Sequence, residues 1–338
     1  MTTFQHGGDI ESFAKLCGCG VEEVVDLSSN INFVKPNIDI DFKTIDISPY
    51  PNYDKLYRKV STHYGVAIDE MELYSGGSDA IFALFRDTLE SGISKCTIYS
   101  PAYLEYKRAS VLFGYELLAI DRFDSMDSDP LEGSLVIFVN PSTPDGYFYD
   151  IGSLLELWSN RGCRVVVDES FIEFTPYSSA VELLDRYPNL YILKSLTKYW
   201  GAAGVRIGAI ISQPSNIKKL KSKEPLWKIS TIDSLYIQSV LDDESFKSRS
   251  DSTNQKSREY LLHLLQQSRW VKHIYPSVTN FILVELEGIT ADWLQTRLIP
   301  YRVMIRSCEN FDGLSSSHVR VAIKSIDDMR HLAEVLDA

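Results

Sequence analysis

Short runs of apolar residues alternate with amphipathic segments through the middle of the chain. The apolar runs are rich in β-branched residues and predict buried strands at 96–100, 116–120, 135–139, 164–168, 190–193 and 207–211. The segments between them have apolar residues at helical spacing and predict helices at 78–91, 103–113 and 151–160. Because continuous apolar strands separated by helices are typical of a mostly parallel sheet covered on both faces, we expect an α/β fold.

The pattern changes near residue 215, where a basic stretch at 218–223 precedes mainly polar sequence. Apolar spacing at 235–241 predicts the start of a long helix, with the polar residues 242–257 on its exposed face. Beyond this helix the pattern predicts strands at 281–284, 302–306 and 319–323, and helices at 291–297 and from residue 326. This second region has the order of a small α+β domain. A chain of 338 residues is long enough for two domains.

The net charge of the chain indicates which kinds of binding partner to expect. The chain has 34 Lys and Arg residues and 46 Asp and Glu residues, which gives a net charge of −12. An acidic surface repels phosphate backbones, so we expect no nucleic-acid partner. No segment approaches the roughly 18–20 apolar residues that a membrane helix needs, and the first residues lack the pattern of a signal peptide. We therefore expect no membrane association and a cytoplasmic protein.

The five cysteines are scattered along the chain, and an odd, scattered set argues against a disulfide framework. Cys17 and Cys19 are separated by one glycine, but no second pair of Cys or His residues at zinc spacing accompanies them. We therefore expect no metal site.

Three segments carry groups that suit one phosphorylated ligand. Gly77 and Ser78 begin a predicted helix, where free backbone N–H groups favour an anion. Asp168 ends a buried strand, and ligands of open parallel sheets bind beyond the carboxyl ends of the strands. A residue in that position is also a common helix cap, so Asp168 alone does not decide between the two roles. The segment 194–208 gathers hydroxyl groups and an arginine around one lysine, as a phosphate site requires: Ser195, Thr197, Lys198 and Arg206.

The motifs SGGSDAI, PAYLEY, NPSTPDG, DESFIEF and SLTKYWGAAGVRIG follow one another in this order. Together they resemble the fold-type I enzymes of the aspartate aminotransferase superfamily, which use pyridoxal 5'-phosphate (PLP), and within it the histidinol-phosphate aminotransferase branch. The segments at 6–9, 26–32, 306–311 and 318–323 are similar to the threonine-phosphate decarboxylases of cobamide biosynthesis. The resemblance implies an N-terminal arm at 1–45 that contributes to the small domain and the substrate site, a large PLP-binding domain at 46–225 and a small α+β domain at 226–338.

The resemblance also implies a role for individual residues. Lys198 would hold PLP as a Schiff base, Asp168 would keep the ring nitrogen protonated, and Tyr103 would stack on the ring. The cofactor phosphate would be bound by Gly77, Ser78, Ser195, Thr197 and Arg206. Tyr50 would reach that phosphate from a neighbouring subunit, which implies a homodimer. A small phosphorylated amino acid would be held by His6, Gly7, Asn30, Thr143, Arg306 and Arg320.

Two positions depart from the wider superfamily. Thr143 stands where relatives carry an asparagine, and Phe171 stands where aminotransferases usually carry a tyrosine. Both usual residues donate hydrogen bonds to the ring oxygen of the cofactor, and Thr143 remains a candidate for such a contact. With fewer donors to stabilise the deprotonated cofactor, we expect the pKa of the lysine-bound cofactor to be raised.

The leading expectation is PLP-dependent decarboxylation of O-phospho-L-threonine to an aminopropanol phosphate for the cobamide nucleotide loop. O-phospho-L-serine differs by one methyl group, worth only about 1–3 kcal/mol of discrimination, and stays open as a substrate. Lys198 and Asp168 would serve an aminotransferase equally well. A histidinol-phosphate-type aminotransferase is therefore the alternative, and a PLP-binding regulatory module without catalysis is a further one.

Overall fold

The computed structural model describes residues 7–336, and the chain forms two compact units. The large unit consists of residues 35–141 and 149–247. The small unit consists of the described residues within 1–34, 142–148 and 248–338. The predicted division into an arm and two domains, at 1–45, 46–225 and 226–338, stays a prediction.

The large unit is built on a seven-stranded sheet with the strand order β2-β8-β7-β6-β5-β3-β4. Strand β8 runs antiparallel to both of its neighbours, whereas the pairs from β7 to β4 are parallel. This is the mostly parallel sheet that the sequence predicts. The strands are β2 (Met71–Tyr74), β3 (Lys95–Ser100), β4 (Glu116–Asp121), β5 (Leu135–Val139), β6 (Arg164–Asp168), β7 (Leu190–Ser195) and β8 (Gly208–Ser212).

Six helices belong to the described residues of the large unit. They are α2 (Asp54–Tyr64), α3 (Gly77–Glu90), α4 (Leu104–Leu112), α5 (Gly152–Asn160), α6 (Pro214–Lys221) and α7 (Thr231–Val240). Helix α3 buries an apolar face that includes Ile81 and Leu84 against the sheet core. Strands β5 and β6 are almost wholly buried, which explains their continuous apolar sequence.

The strand register explains why distant segments meet at one edge of this sheet. Tyr74 at the end of β2 and Ser195 at the end of β7 both pair with Gly208 of β8. Asp168, at the end of β6, pairs with Leu193 of β7. The chain therefore leaves β2, β6 and β7 at the same edge, and this is the edge where parallel sheets bind ligands.

The small unit holds an antiparallel sheet with the order β12-β13-β10-β9 and a separate parallel pair, β1 and β11. These strands are β1 (Val25–Asp26), β9 (Val271–Ile274), β10 (Phe281–Leu286), β11 (Val303–Met304), β12 (Arg306–Ser307) and β13 (His318–Ala322). The helices are α1 (Ile10–Cys17), α8 (Phe246–Gln267), which starts two residues before this unit, α9 (Ala291–Leu298) and α10 (Ile326–Leu336). Apolar residues of α8, α9, α10, β10 and β13 form one core.

Short 3-10 helices connect several of these elements. They lie at Val21–Glu23, Phe42–Thr44, Ile68–Glu70, Ile172–Phe174, Ala180–Leu183 and Ile299–Tyr301. Across residues 7–336, none of the helices combines the length and the apolar character that crossing a membrane would take.

Two predictions of secondary structure are wrong. The single long helix from 235 is two helices, because α7 ends at Val240 and α8 begins at Phe246. Between the two helices, Ser245 donates a hydrogen bond to the Asp243 carboxylate. Ser and Asp side chains that form such local hydrogen bonds compete with the backbone hydrogen bonds of a helix. The predicted strand at 302–306 is divided into β11 and β12, and these strands pair with different partners.

Candidate active site

The start of α3 is shaped to receive an anion. Gly76 has a φ of 94°, and a Cβ atom there would lie 2.5 Å from Nη2 of Arg206. A Cβ atom on Gly77 would lie 3.8 Å from Cβ of Ser195. Arg206 and Ser195 therefore sit directly against the glycines, whose N–H groups begin the helix. Such N–H groups have no partner within the helix and favour negative charge.

Hydroxyl groups surround the same helix start. The Ser195 and Thr197 hydroxyl oxygens lie 3.1 Å apart, and the Ser78 and Tyr103 side chains share a hydrogen bond. The Arg206 side chain is exposed and donates to the Ala203 carbonyl at 3.1 Å. The structure thus brings together the residues predicted for the cofactor phosphate: Gly77, Ser78, Ser195, Thr197 and Arg206.

Lys198 lies among aromatic rings of the large unit. Its Nζ atom is 5.0 Å from the centre of the Phe171 ring and 5.8 Å from the centre of the Tyr103 ring. Tyr103 follows β3, Phe171 follows β6 and Lys198 follows β7. A lysine amine with aromatic rings beside it suits a flat heteroaromatic ring bound as a Schiff base.

Asp168 is buried at the end of β6 and accepts three hydrogen bonds from described residues. Its Oδ1 atom accepts from the Ser170 backbone N–H at 2.9 Å and from the Ser170 hydroxyl at 2.5 Å. Its Oδ2 atom accepts from the Tyr106 hydroxyl at 2.7 Å. Three donors hold this carboxylate in one orientation, which suits the proposed partner of a protonated ring nitrogen.

Tyr50 lies outside this cluster of side chains. It is 75% exposed and stacks on Trp227, with ring centres 4.1 Å apart and an angle of 19° between the rings. Leu226 beside Trp227 is also largely exposed. An exposed apolar and aromatic group is compatible with the prediction that Tyr50 serves a second subunit.

In the small unit, Arg306 and Arg320 lie directly opposite each other in the register of β12 and β13. Both side chains are buried, and burial lowers the pKa of each. Arg306 donates to the Asn310 side chain at 2.8 Å and lies over the Phe311 ring. Like charges opposite each other on one face of a sheet repel, so this arrangement favours an anion nearby.

Neutral acceptors hold the Arg320 guanidinium group. Nη1 donates to the Thr143 hydroxyl at 3.2 Å, and Nη2 donates to the Ser28 carbonyl at 3.0 Å. Its Nε atom is buried and has no hydrogen-bond partner among residues 7–336. Burial lowers the pKa of Arg320 to about 10, and the charges of Cys308, Arg306 and Asp26 modify it less. The group therefore retains an unused donor.

Two other predicted substrate residues lie near Arg320. A Cβ atom on Gly7 would lie 2.4 Å from the Ser28 carbonyl oxygen, so only glycine fits at this position. Asn30 is buried, its carbonyl accepts a hydrogen bond from Asn280 at 3.0 Å, and its side-chain oxygen has no hydrogen-bond partner among residues 7–336. His6, the remaining predicted anchor, lies outside the described residues.

Two residues of the site, Tyr106 and Ser28, were not predicted from the sequence. Tyr106 follows Tyr103 at a spacing of three within the PAYLEY motif, and this repeat was a usable signal. Ser28 acts through its backbone carbonyl, so its residue type carries no signal.

Residues 26–336 match the family of class I and II aminotransferases, and the chain belongs to this family. Membership of the family confirms the predicted fold-type I architecture and confirms PLP as the cofactor. The predicted roles of single residues rest on their placement and stay proposals.

Three proteins illustrate what the chain is similar to within this family. It is 26% identical over 352 residues to the adenosylcobalamin biosynthesis bifunctional protein CobDQ of Leptospira interrogans, a match to 98% of this chain and 40% of the relative. The chain thus spans less than half of that relative. It is 26% identical over 353 residues to the threonine-phosphate decarboxylase of Salmonella typhimurium, covering 98% and 95% of the two chains. The crystal structure of the histidinol-phosphate aminotransferase from Clostridium acetobutylicum aligns with a TM-score of 0.79, 27% identity and coverage of 92% and 97%.

Proposed function

We propose that this protein decarboxylates O-phospho-L-threonine, or O-phospho-L-serine, with PLP, and that the product is the corresponding amino-alcohol phosphate for the cobamide nucleotide loop. The observation that carries the proposal is the buried pair Arg306 and Arg320. The similarity to the Salmonella decarboxylase and to the Leptospira bifunctional protein supports the same reaction.

The arginine pair defines the kind of substrate. A buried cation without a matching anion is costly, and Arg320 has no acidic side chain within ion-pair distance among residues 7–336. Guanidinium groups bind carboxylates and phosphates through two parallel hydrogen bonds. An amino-acid phosphate ester provides both kinds of anion, one for each arginine. Asn30, with its unused side-chain oxygen, is proposed to accept from the substrate.

The residues of the large unit are proposed to perform the chemistry. When bound, PLP supplies an electron sink for the negative charge that develops at Cα of the substrate. Loss of CO2 requires no base. Lys198 then acts as the general acid that returns a proton to Cα. Asp168 keeps the ring nitrogen protonated, and the anchors of the small unit select the bond that breaks because they orient the carboxylate.

We also propose that the protein is a homodimer in which Tyr50 contributes to the cofactor phosphate site of the partner subunit. The exposure of Tyr50 and of Leu226 and Trp227 beside it supports this. The proposal further assigns the enzyme to the cytoplasm.

A histidinol-phosphate-type aminotransferase is the second candidate, supported by the Clostridium structure. Its reaction would use Lys198 as a base at Cα instead of an acid. Histidinol phosphate carries only one anionic group. An amino donor with two carboxylates carries two, so such a donor would also fit the pair Arg306 and Arg320. Only a direct assay separates the two reactions.

The test is to incubate the purified protein and PLP with O-phospho-L-threonine, O-phospho-L-serine and histidinol phosphate, the last with 2-oxoglutarate. We expect CO2 and an amino-alcohol phosphate from the first or the second substrate. Amino transfer from histidinol phosphate without CO2 from either amino-acid phosphate would establish the aminotransferase instead. Activity with none of the three would favour a non-catalytic PLP-binding module.

The role of Arg320 has its own test. Arg320→Ala should abolish turnover and leave the absorbance spectrum of bound PLP unchanged, because Arg320 is proposed to hold substrate and not cofactor. The matched control is Arg297→Ala, which removes an exposed arginine from helix α9 of the same unit. A fully active Arg320→Ala protein would refute the assignment.

A further inference from the structure

Tyr106 is a buried group to which the proposed reaction assigns no part. It lies near the start of α4, and its ring meets the Tyr103 ring edge-on at a distance of 6.4 Å between centres. Its side chain is only 1% exposed and belongs to the core of the large unit. The hydroxyl group of Tyr106 nevertheless points to a charged group, since it donates to Oδ2 of Asp168 at 2.7 Å.

The hydrogen bonds of Asp168 are divided unevenly between its two oxygens. A carboxylate has about four acceptor positions, two on each oxygen. The Ser170 N–H and hydroxyl groups together fill both positions of Oδ1. Tyr106 fills one position of Oδ2. One acceptor position on Oδ2 therefore remains for a ligand, and any group that binds there shares the oxygen with Tyr106.

Tyr106 can only act as a donor in this pair over the ordinary pH range. Burial, and then the charge of Asp168, hold the pKa of the Tyr106 phenol well above its usual value. The phenol therefore keeps its proton and remains the donor in the hydrogen bond to Asp168.

We propose that Tyr106 is a positioning residue for the cofactor: its hydroxyl group fixes the Asp168 carboxylate so that the free acceptor position of Oδ2 receives the protonated ring nitrogen of PLP. This inference rests on the cofactor role proposed for Asp168 and is independent of which substrate the enzyme uses. The hydrogen bond holds the Asp168 carboxylate in one orientation, so that the remaining acceptor position of Oδ2 stays directed at the ring N–H group.

The test compares Tyr106→Phe with Tyr115→Phe in the full-length chain, freed of PLP and then titrated with it. Tyr115 is the matched control because it lies in the same core and its buried hydroxyl group donates to the Phe85 carbonyl at 2.6 Å. Tyr106→Phe should raise the dissociation constant of PLP by about tenfold or more, the usual effect of losing a hydrogen bond to a charged group. Tyr115→Phe should leave it within about twofold and lower only the thermal stability.

A PLP analogue with carbon in place of the ring nitrogen provides the decisive comparison. This analogue has no N–H group for Oδ2, so wild-type protein and Tyr106→Phe should bind it equally. Equal binding of PLP by wild type and Tyr106→Phe would overturn the proposal. An equal loss for PLP and the analogue would also overturn it, because Tyr106 would then act on the fold in general.

Asp168→Asn separates failure of this inference from failure of the cofactor role itself. If Asp168→Asn weakens PLP binding while Tyr106→Phe does not, only the role of Tyr106 is wrong. If Asp168→Asn binds PLP as tightly as the wild type, the role proposed for Asp168 is wrong, and the role of Tyr106 falls with it.

Discussion

At the scale of single residues, Phe171 gives the clearest spectroscopic prediction. Phe171 is buried beside Lys198 and has no hydroxyl group to donate to the ring oxygen of the cofactor. Loss of a donor to a negatively charged oxygen destabilises the deprotonated form and raises its pKa. The protonated form of the lysine-bound cofactor should therefore persist into alkaline pH.

Phe171→Tyr restores the missing donor and should lower this pKa, so that the absorbance change occurs at lower pH than in the wild type. The measurement is a spectrophotometric pH titration of both proteins. Phe174→Tyr, which alters a neighbouring aromatic residue, is the control. A wild-type protein that already loses the band near neutral pH would contradict the account.

Thr143 is the second residue with a defined effect, because its hydroxyl oxygen accepts from Arg320. Thr143→Val keeps the shape and removes the acceptor, whereas Thr143→Ser keeps the acceptor. Thr143→Val should raise KM for the phosphorylated amino acid by about tenfold, the effect of a lost hydrogen bond to a charged group, and Thr143→Ser by much less. Steady-state kinetics would contradict the role if Thr143→Val matched the wild type.

Residue types in the sequence predicted many residues of the candidate site, but not the contacts that hold these residues in place. Asp168 ends a predicted strand, Lys198 follows one and Arg206 precedes one, and their chemistry was visible from their residue types and neighbours. The position of Arg306 directly opposite Arg320 was not visible in the sequence. The two arginines are fourteen residues apart, and they meet only because of the register of β12 and β13. The contact of Arg320 with Ser28 depends on a backbone carbonyl and has no sequence signal.

At the scale of elements, a buried ion pair joins the ends of β6 and β7. Lys194 donates to the Glu169 carboxylate at 2.5 Å, and Ser179 donates to the same oxygen at 2.5 Å. Both charged side chains are almost fully buried. The pair follows Asp168 directly on one strand and precedes Ser195 on the other, so it fixes the two strand ends that carry the candidate site.

Removing one partner of this pair should be costly. Lys194→Met leaves the Glu169 charge buried and should lower the free energy of unfolding by about 3–5 kcal/mol. The double variant Glu169→Gln with Lys194→Met removes both charges and should recover most of the loss. Urea unfolding of the three proteins measures both effects. Equal stability of the wild type and Lys194→Met would show that the pair contributes nothing.

Apolar periodicity predicted the central strands because each is buried on both faces and leaves a continuous apolar run. It did not predict β2 or β9, which are only four residues long. It also joined α7 and α8 into one helix, because a break of five residues does not interrupt the average pattern. The apolar pattern therefore predicted six of the seven strands of the large sheet, but neither β2 nor the break between α7 and α8.

At the scale of the whole molecule, the proposed dimer makes a strict prediction about Tyr50. If Tyr50 serves the partner subunit, a mixed dimer of Tyr50→Ala and Lys198→Ala chains has one complete site. Random mixing of the two inactive proteins should then restore about a quarter of wild-type activity, since half of the dimers are mixed and each has one working site of two. No recovery in a verified mixture would show that Tyr50 does not act across subunits.

The fate of the substrate carboxylate tests the central claim most directly. The measurement uses O-phospho-L-threonine labelled with carbon-13 at the carboxyl carbon, incubated with the enzyme in D2O and analysed by mass spectrometry. Decarboxylation with reprotonation at Cα should give one labelled CO2 for each aminopropanol phosphate formed, with a single deuterium on the carbon that carried the carboxylate. Label retained in a 2-oxo acid, with amino transfer to a keto acid and no labelled CO2, would contradict it.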